Sequence, residues 1–269
     1  MLDLLLRGAR LPGELETRDI GIKDGLISDL EPESRQSIDL GGALVTPALV
    51  EPHIHLDAVL TVGEPRYNET GSLFEGIAIW ADRVKSLTVD DVKQRVRTVL
   101  RWQLANGVQF VRSHVDVCDP ELKAVRALTE LRKEVGDQIT LQLVAFPQQG
   151  IMSFDDGENL MREAIDLGVD VVGAIPHFEL TREYGEQSIK FAFALAANKG
   201  LRVDIHCDET DDDQSRFVEV MAAETIRLIS PRKLVLRGGK IVARTEPERT
   251  TVMWNDREEL VDFLKPARS

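Results

Sequence analysis

Cysteine and long apolar runs are scarce in this sequence. Only two cysteines occur, Cys118 and Cys207, which are too few for a disulfide framework and predict a chain from a reducing cytoplasm. No apolar run approaches the roughly 20 residues that a membrane-spanning helix needs, so we expect no association with a membrane. Residues 1–7 include an aspartate and only a short apolar stretch, which argues against a secretory signal.

Basic residues are outnumbered by acidic ones. The chain has 33 lysines and arginines against 46 aspartates and glutamates, which gives a formal net charge of −13. A surface this acidic repels phosphate backbones, so nucleic acid is a poor partner and a nucleobase substrate is expected to be the free base. Hydrophobic residues make up 43% of the 269 residues, enough for a sizeable core.

Both ends of the chain are predicted to form short strands. Near the N-terminus, Asp24 and Gly25 separate two apolar runs, and an Asp-Gly pair in that position is a strong hairpin signal. Near the C-terminus, Gly238 and Gly239 separate the runs 233–237 and 240–243. We interpret the two ends as parts of one small β domain with a different domain inserted between them.

The middle of the chain alternates apolar strands with helix-like segments. Valines recur at helical spacing in the predicted helix Thr88–Ala105. Alternation of this kind predicts parallel βα units, either as a barrel or as a doubly wound sheet. No GxGxxG or GxxxxGK[ST] motif follows any predicted strand, which favours the barrel. The five predicted strands are Leu44–Leu56, Val108–Val115, Ile139–Phe146, Val169–Pro176 and Leu201–Cys207.

Three of the five histidines lie where predicted strands end. His53 and His55 are two residues apart, so on a strand their side chains share one face, and His206 ends the fifth strand. Imidazoles that converge at the mouth of a barrel are good ligands for Zn²⁺ or Fe²⁺. Each could equally be a polar residue at a solvated strand end. We expect His114 and His177, also at strand ends, to be structural rather than ligands.

Two further residues could take part in chemistry. Glu209 follows His206 by three residues, where a carboxylate beside an activated water could move protons. The alternative is an ordinary acidic residue in the first turn of a helix. Gln148 follows the third strand, where its amide could pair with the edge of a heterocycle, although a loop glutamine is the simpler interpretation.

Five segments that include these residues resemble bacterial cytosine deaminases of the amidohydrolase superfamily. The similarity runs from the N-terminus to about Ala222 and resumes from about Ile226 to Val252. Five ordered motifs are far more specific than a pair of histidines. The similar motifs are Val50–Asp57, Asn68–Ile77, Val144–Gln148, Gly173–Glu179 with Thr181–Gly185, and Asp204–Glu209.

The resemblance implies a (β/α)₈ barrel beside a β-sandwich built from both chain ends. It implies a single divalent metal ion, Fe²⁺ or Zn²⁺, held by His53, His55, His206 and an aspartate on the eighth strand. The ion would activate water for attack on the ring carbon that bears the amino group. Glu209 would protonate the ring nitrogen, and Gln148 would hold the carbonyl edge of the substrate.

The barrel is predicted to be incomplete. After a predicted helix over 214–223 the chain enters Glu224–Ile229, which is similar to the start of a terminal β segment, and no histidine follows position 206. A complete barrel takes about 250 residues, or roughly 30 for each βα unit, so only five units fit before the join near Ala222–Glu224. We therefore expect strands six to eight to be missing, and domains at 1–46, 47–225 and 226–269.

The predicted activity is hydrolytic deamination of cytosine or a closely related free base, which releases ammonia. One alternative is an amidohydrolase that acts on another cyclic amidine or amide, such as isocytosine, creatinine or a triazine. The other is a non-catalytic remnant that keeps only part of the site. An incomplete sheet has unpaired edges, so pairing with a second copy as a homo-oligomer is also open.

Overall fold

A computed structural model describes residues 1–228 and the strand segments 234–237, 240–246, 249–254 and 257–261. The chain divides into two compact units, Met1–Leu49 and Val50–Ser269. Within the described residues, no helix combines the length and the apolar character that a membrane crossing requires. The domain limits expected from the sequence stay a prediction.

The first unit contains a four-stranded sheet that includes the predicted Asp-Gly hairpin. Its strands are β1 (Leu2–Arg10), β2 (Thr17–Lys23), β3 (Leu26–Ser28) and β4 (Ser34–Asp39). Their order is β3-β2-β1-β4, with β1 antiparallel to β2 and parallel to β4. Asp24 and Gly25 both have positive φ, 52° and 75°, as the tight turn between β2 and β3 requires.

The second unit is built on a five-stranded sheet that confirms the five predicted strands. These are β5 (Leu49–Ile54), β6 (Val108–Asp116), β7 (Thr140–Phe146), β8 (Val171–Ala174) and β9 (Arg202–Ile205). They lie in the order β5-β6-β7-β8-β9, and the pairs from β6 to β9 are parallel. The result is an α/β fold with a curled parallel sheet, a half-barrel. The absence of strands six to eight and the β-sandwich stay predictions.

Helices lie between the strands of the half-barrel and pack their apolar sides against it. Three begin at a hydroxyl residue, Ser72, Thr88 or Thr181, whose side-chain oxygen accepts a hydrogen bond from a backbone N–H of the first turn. The predicted helix Thr88–Ala105 is confirmed. The helices are α1 (Leu73–Val84), α2 (Val89–Ala105), α3 (Lys123–Val135), α4 (Gly157–Asp166) and α5 (Arg182–Lys199).

The core of the half-barrel lies between these helices and the strands. Val96 of α2 and Leu128 of α3 are fully buried together with Val115 of β6 and Leu143 of β7. Full burial of an aliphatic side chain contributes roughly 1.5–3 kcal/mol to stability. This packed core restrains the strands, and the backbone at the strand ends is held in place by it.

The segment after β9 differs from the prediction. A helix, α6 (Phe217–Leu228), runs through the expected join near Ala222–Glu224 as one continuous element. The β segment expected within Glu224–Ile229 is therefore wrong for Glu224–Leu228. Good helix formers at positions 221–224 outweigh the β-branched residues that follow them. Residues 229–233 lie outside the described residues.

A third sheet follows near the C-terminus. Its strands are β10 (Leu234–Arg237), β11 (Lys240–Glu246), β12 (Arg249–Trp254) and β13 (Arg257–Val261). Each is antiparallel to its sequence neighbour. The β structure predicted for 233–237 and 240–243 is confirmed for 234–237 and 240–243.

Candidate functional site

Four of the five histidines lie at the edge of the half-barrel where its strands end. His53 lies in β5 and His55 directly follows that strand. His114 lies near the end of β6, and His206 directly follows β9. The carboxyl ends of parallel strands bear the active sites of barrel enzymes, so this edge is the expected position of a catalytic site.

The four imidazole rings form one cluster, the histidine cluster. The ring centroid of His53 lies 4.3 Å from that of His114, 4.6 Å from that of His206 and 5.5 Å from that of His55. The Nε2 atoms of His53 and His206 are 3.1 Å apart. One nitrogen from each of His53, His114 and His206 lies within 4.8 Å of the others. Of the three histidines predicted as ligands, His53 and His206 belong to this converging group together with His114. The ring of His55 lies in the cluster, but its nitrogens are outside the converging group, and its role as a ligand stays a prediction.

His114 is the cluster member that sequence reasoning placed outside the ligand set. Its side chain is fully buried, and neither ring nitrogen makes a hydrogen bond within the described residues. Nε2 lies 3.4 Å from Oδ1 of Asp204, which is an electrostatic contact and not a well-directed hydrogen bond. Its place at the end of a buried strand, like that of His53 and His206, was the available signal.

The protonation state of the cluster suits a divalent cation. Burial, reinforced by the neighbouring His114, lowers the pKa of His55 to about 3 and that of His206 to about 4. Burial also lowers the pKa of His53. These rings are therefore neutral at pH 7, and each has a lone pair free for coordination. With the unpaired nitrogens of His114, the residues present fit a Zn²⁺ or Fe²⁺ ion.

The side chain of Asp204, on β9, is hydrogen-bonded to Arg112 of β6 beside the histidine cluster. Its Oδ2 accepts a hydrogen bond from Nη1 of Arg112 at 2.8 Å, and Nε of Arg112 donates to Gln142 at 2.7 Å. The adjacent His114 ring and then Arg112 hold the pKa of Asp204 at about 2, against the effect of burial. A carboxylate ionised in this position can orient a neighbouring imidazole.

Two buried carboxylates fasten the loop that follows His55. Oδ2 of Asp57 accepts a hydrogen bond from the backbone N–H of Asp116 at 2.8 Å, and Oδ2 of Asp116 accepts one from Nε1 of Trp80 at 2.8 Å. Arg95 donates to the backbone carbonyl of Asp57, also at 2.8 Å. Burial raises the pKa of Asp57 to about 7 and raises that of Asp116. These contacts fix the backbone that directly follows His53 and His55.

Gln148 lies in the loop after β7 and is half-buried. Its backbone N–H donates to Oδ1 of Asp116 at 3.3 Å. Its side-chain amide makes no hydrogen bond to any described residue, so it is free to bind a ligand. The role of Gln148 in binding substrate stays a prediction.

Glu209 is exposed and lies in the loop between β9 and α6. Burial lowers the pKa of both His53 and His177, and the negative charge of Glu209 partly offsets this in each case. The charge of Glu209 therefore acts electrostatically on both rings. Asp208 has a different role, since its carboxylate accepts hydrogen bonds from the N–H groups of Phe217 and Val218 at the start of α6. The catalytic role of Glu209 stays a prediction.

His177 also lies close to this edge of the sheet. It belongs to a single 3₁₀ turn, Pro176–Phe178, which follows β8. Both of its ring nitrogens are enclosed, and neither has a hydrogen-bond partner within the described part of the chain. His177 is not among the three histidines whose nitrogens converge, and its predicted structural role stays a prediction.

A cavity of about 490 Å³ lies away from the histidines, between α5, β9 and α6. Its lining is largely apolar and includes no histidine or carboxylate. It holds none of the groups that hydrolysis needs, so we place the candidate site at the histidine cluster.

Known proteins resemble this chain over most of its length. The 5-methylcytosine deaminase of Klebsiella pneumoniae, solved with 5-fluorocytosine bound, is 46% identical with a TM-score of 0.79. The match covers 83% of this chain and 56% of that one. The N-isopropylammelide isopropyl amidohydrolase of Pseudomonas sp. (strain ADP) is 31% identical, over 83% of this chain and 58% of the relative.

A pterin deaminase of Rhizobium rhizogenes is also 31% identical, over 78% of this chain and 48% of its own length. The chain thus spans about half the length of the relatives that it matches. The sequence profile of the amidohydrolase family matches residues 36–259. That match includes every strand of the half-barrel and every residue of the histidine cluster. The chain therefore belongs to the amidohydrolase family.

Proposed function

We propose that this chain carries the metal-binding part of a hydrolase that removes the amino group from cytosine or a closely related free pyrimidine base. The observation that carries the proposal is the convergence of one ring nitrogen each from His53, His114 and His206 at the carboxyl edge of the half-barrel. Burial lowers the pKa of His53 and His206, so these two rings are neutral at pH 7. The 46% identity to a 5-methylcytosine deaminase supports a pyrimidine as the substrate.

In this proposal His53 and His206 hold the metal ion with His55 as the third ligand, and the ring of His114, whose nitrogen completes the converging group, lies beside them. When bound, the ion supplies Lewis acidity that makes water nucleophilic at neutral pH. Asp204 stays ionised next to the cluster, and the buried Asp57 fixes the loop after β5, so the chain holds its ligands in place. Support of this kind around the ligands commonly sets metal affinity by factors of roughly 10–100.

Glu209 and Gln148 act on the substrate. The Glu209 carboxylate takes the proton that the attacking water loses and delivers it to the ring nitrogen next to the amino-bearing carbon. The carbon–oxygen bond forms, and the remaining hydroxyl proton then passes to the amino group. The carbon–nitrogen bond breaks as ammonia leaves, so that cytosine plus water gives uracil plus ammonia. The free Gln148 amide, with both a donor and an acceptor, pairs with the carbonyl and N–H edge of the ring.

A turnover assay over a panel of rings tests the substrate. Ammonia release should be fastest with cytosine or a substituted cytosine, and slower with isocytosine, creatinine and an amino-triazine. Turnover of a non-pyrimidine alone would remove cytosine from first place while leaving the hydrolase chemistry standing.

The second candidate is hydrolysis of a carbon–nitrogen bond on another cyclic amidine or amide. Its support is the 31% identity to an N-isopropylammelide isopropyl amidohydrolase and to a pterin deaminase. The same panel of rings separates it from the first candidate.

A further inference from the structure

Glu179 lies outside the proposed chemistry, yet its carboxylate accepts four hydrogen bonds from described residues. It directly follows the 3₁₀ turn after β8 and is 9% exposed. Its two oxygens accept hydrogen bonds from the backbone N–H groups of Ile151, Met152 and Ser153, at 2.6, 3.2 and 2.8 Å. The Ser153 hydroxyl donates a fourth bond at 2.5 Å, and no ion pair within the described residues involves Glu179.

These donors belong to the loop between β7 and α4, which is wrapped around the carboxylate. Successive backbone N–H groups that point at one anion form a nest, and bonds to an ionised acceptor are stronger than neutral ones. The loop approaches so closely that a Cβ on Gly150 would lie 2.6 Å from Oε2 of Glu179. Gly150 has φ of +89°, which a glycine adopts without strain.

The same loop contains Gln148. The N–H of Gly150 donates to the carbonyl of Pro147 at 2.8 Å, which closes a tight turn with Gln148 and Gln149 at its centre. On the opposite side, the N–H groups of these two glutamines donate to Asp116 and Cys118, both at 3.3 Å. The turn is thus fastened to the end of β6 on one side and to Glu179 on the other.

We propose that Glu179 is a positioning residue, which holds the β7–α4 loop so that the Gln148 amide meets the edge of the substrate. A glutamine at position 179 keeps the shape of the glutamate side chain but has only one acceptor oxygen. Its NH₂ group is a donor and would face backbone N–H groups that are also donors, so some of the hydrogen bonds to the loop would be lost. The loop would then lose a fixed position while the histidine cluster keeps its own. The inference rests on the proposed function for the role of Gln148, and on the hydrogen bonds alone for the anchoring.

Glu179→Gln tests both parts in the full chain. The matched control is Glu183→Gln, the same change at an exposed glutamate of α5. Hydrogen exchange at the amides of residues 151–153 should be at least about 10-fold faster in Glu179→Gln and unchanged in the control. Zinc content should be unchanged in both variants. Ser153→Ala, which removes only the hydroxyl donor, is a milder variant should Glu179→Gln fail to fold, and it should accelerate exchange at the same amides to a lesser degree.

Cytosine binding by calorimetry then tests the link to Gln148. Glu179→Gln should weaken binding about 10-fold in the wild-type background and have no further effect in Gln148→Ala. If the two substitutions weaken cytosine binding independently, so that their effects on affinity multiply in the double variant, the positioning role is wrong. If the hydrogen-exchange rates at residues 151–153 do not change in Glu179→Gln, the anchoring is wrong. A wild-type chain that binds no cytosine would count against the proposed function, and the exchange result would still decide the anchoring.

Discussion

The members of the histidine cluster differ in their solvent exposure. His53 is exposed, His55 and His206 are half-buried, and His114 is fully buried. A hydrolytic site needs both firm ligands and a side open to water and substrate. The exposed side of His53 is therefore the side from which we expect substrate to enter.

Glu209→Gln separates proton transfer from metal binding. The substitution removes a group that moves a proton without removing a ligand, so kcat for ammonia release should fall roughly 10²-fold or more. Zinc content should stay at the wild-type value. Loss of zinc in this variant would show that Glu209 is a ligand or a structural residue.

Substitution of single histidines tests the ligand set. His55→Asn should weaken Zn²⁺ affinity by more than about 100-fold, whereas His114→Asn should have the roughly 10–100-fold effect of a residue beside the ligands. His177→Asn, at a histidine that lies outside both the histidine cluster and the converging group, is the control and should leave affinity unchanged. Titration against a chromophoric chelator measures all three. A larger loss of Zn²⁺ affinity in His114→Asn than in His55→Asn would show that His114, and not His55, is the third ligand.

Single residues could be predicted from the sequence only where a strand end marked them. His53 and His206 end apolar strands, and the structure brings them together. His114 has the same signal, since it lies near the end of β6, but its contact with Asp204 comes from a strand about 90 residues later and could not be predicted from the sequence. Glu179 was part of a similar motif, but its donors lie 26 to 28 residues earlier, in a loop whose path the sequence does not reveal.

At the scale of elements, hydrophobic periodicity was enough for the half-barrel. The alternation of apolar strands and amphipathic helices predicted β5 to β9 and α2 because tertiary packing there agrees with local preference. The exception is the segment Glu224–Leu228, where a short β-branched run continues a helix. Short apolar runs of this kind fit a strand or a buried helix equally well.

Gly173→Ala tests the close contact between β7 and β8. A Cβ at this position would lie 2.4 Å from the carbonyl oxygen of Ala145, so the two strands would have to separate. We expect the free energy of unfolding to fall by about 1–3 kcal/mol. Gly136→Ala, where the nearest atom lies at 3.4 Å, is the control and should change stability by less than about 0.5 kcal/mol. Equal denaturation midpoints for the two variants would contradict this packing.

At the scale of the whole molecule, the described half-barrel has five strands and the chain spans about half the length of its relatives. The aspartate that the resemblance places on an eighth strand has no counterpart among the described strands of the half-barrel. Two accounts of the chain are a hydrolase that works with the histidines at the ends of β5 and β9, and a remnant that binds metal without turnover. Only the first account predicts that the chain releases ammonia.

Ammonia release from cytosine by the full chain, measured after chelation and again after reconstitution with Zn²⁺ or Fe²⁺, tests the central claim most directly. We predict equal amounts of ammonia and uracil from the reconstituted protein, none after chelation, and a loss of roughly 10²-fold in the Glu209→Gln variant. A chain that binds the metal through the histidine cluster and yet releases no ammonia from cytosine or the related rings would contradict the proposed activity and identify the chain as a non-catalytic remnant.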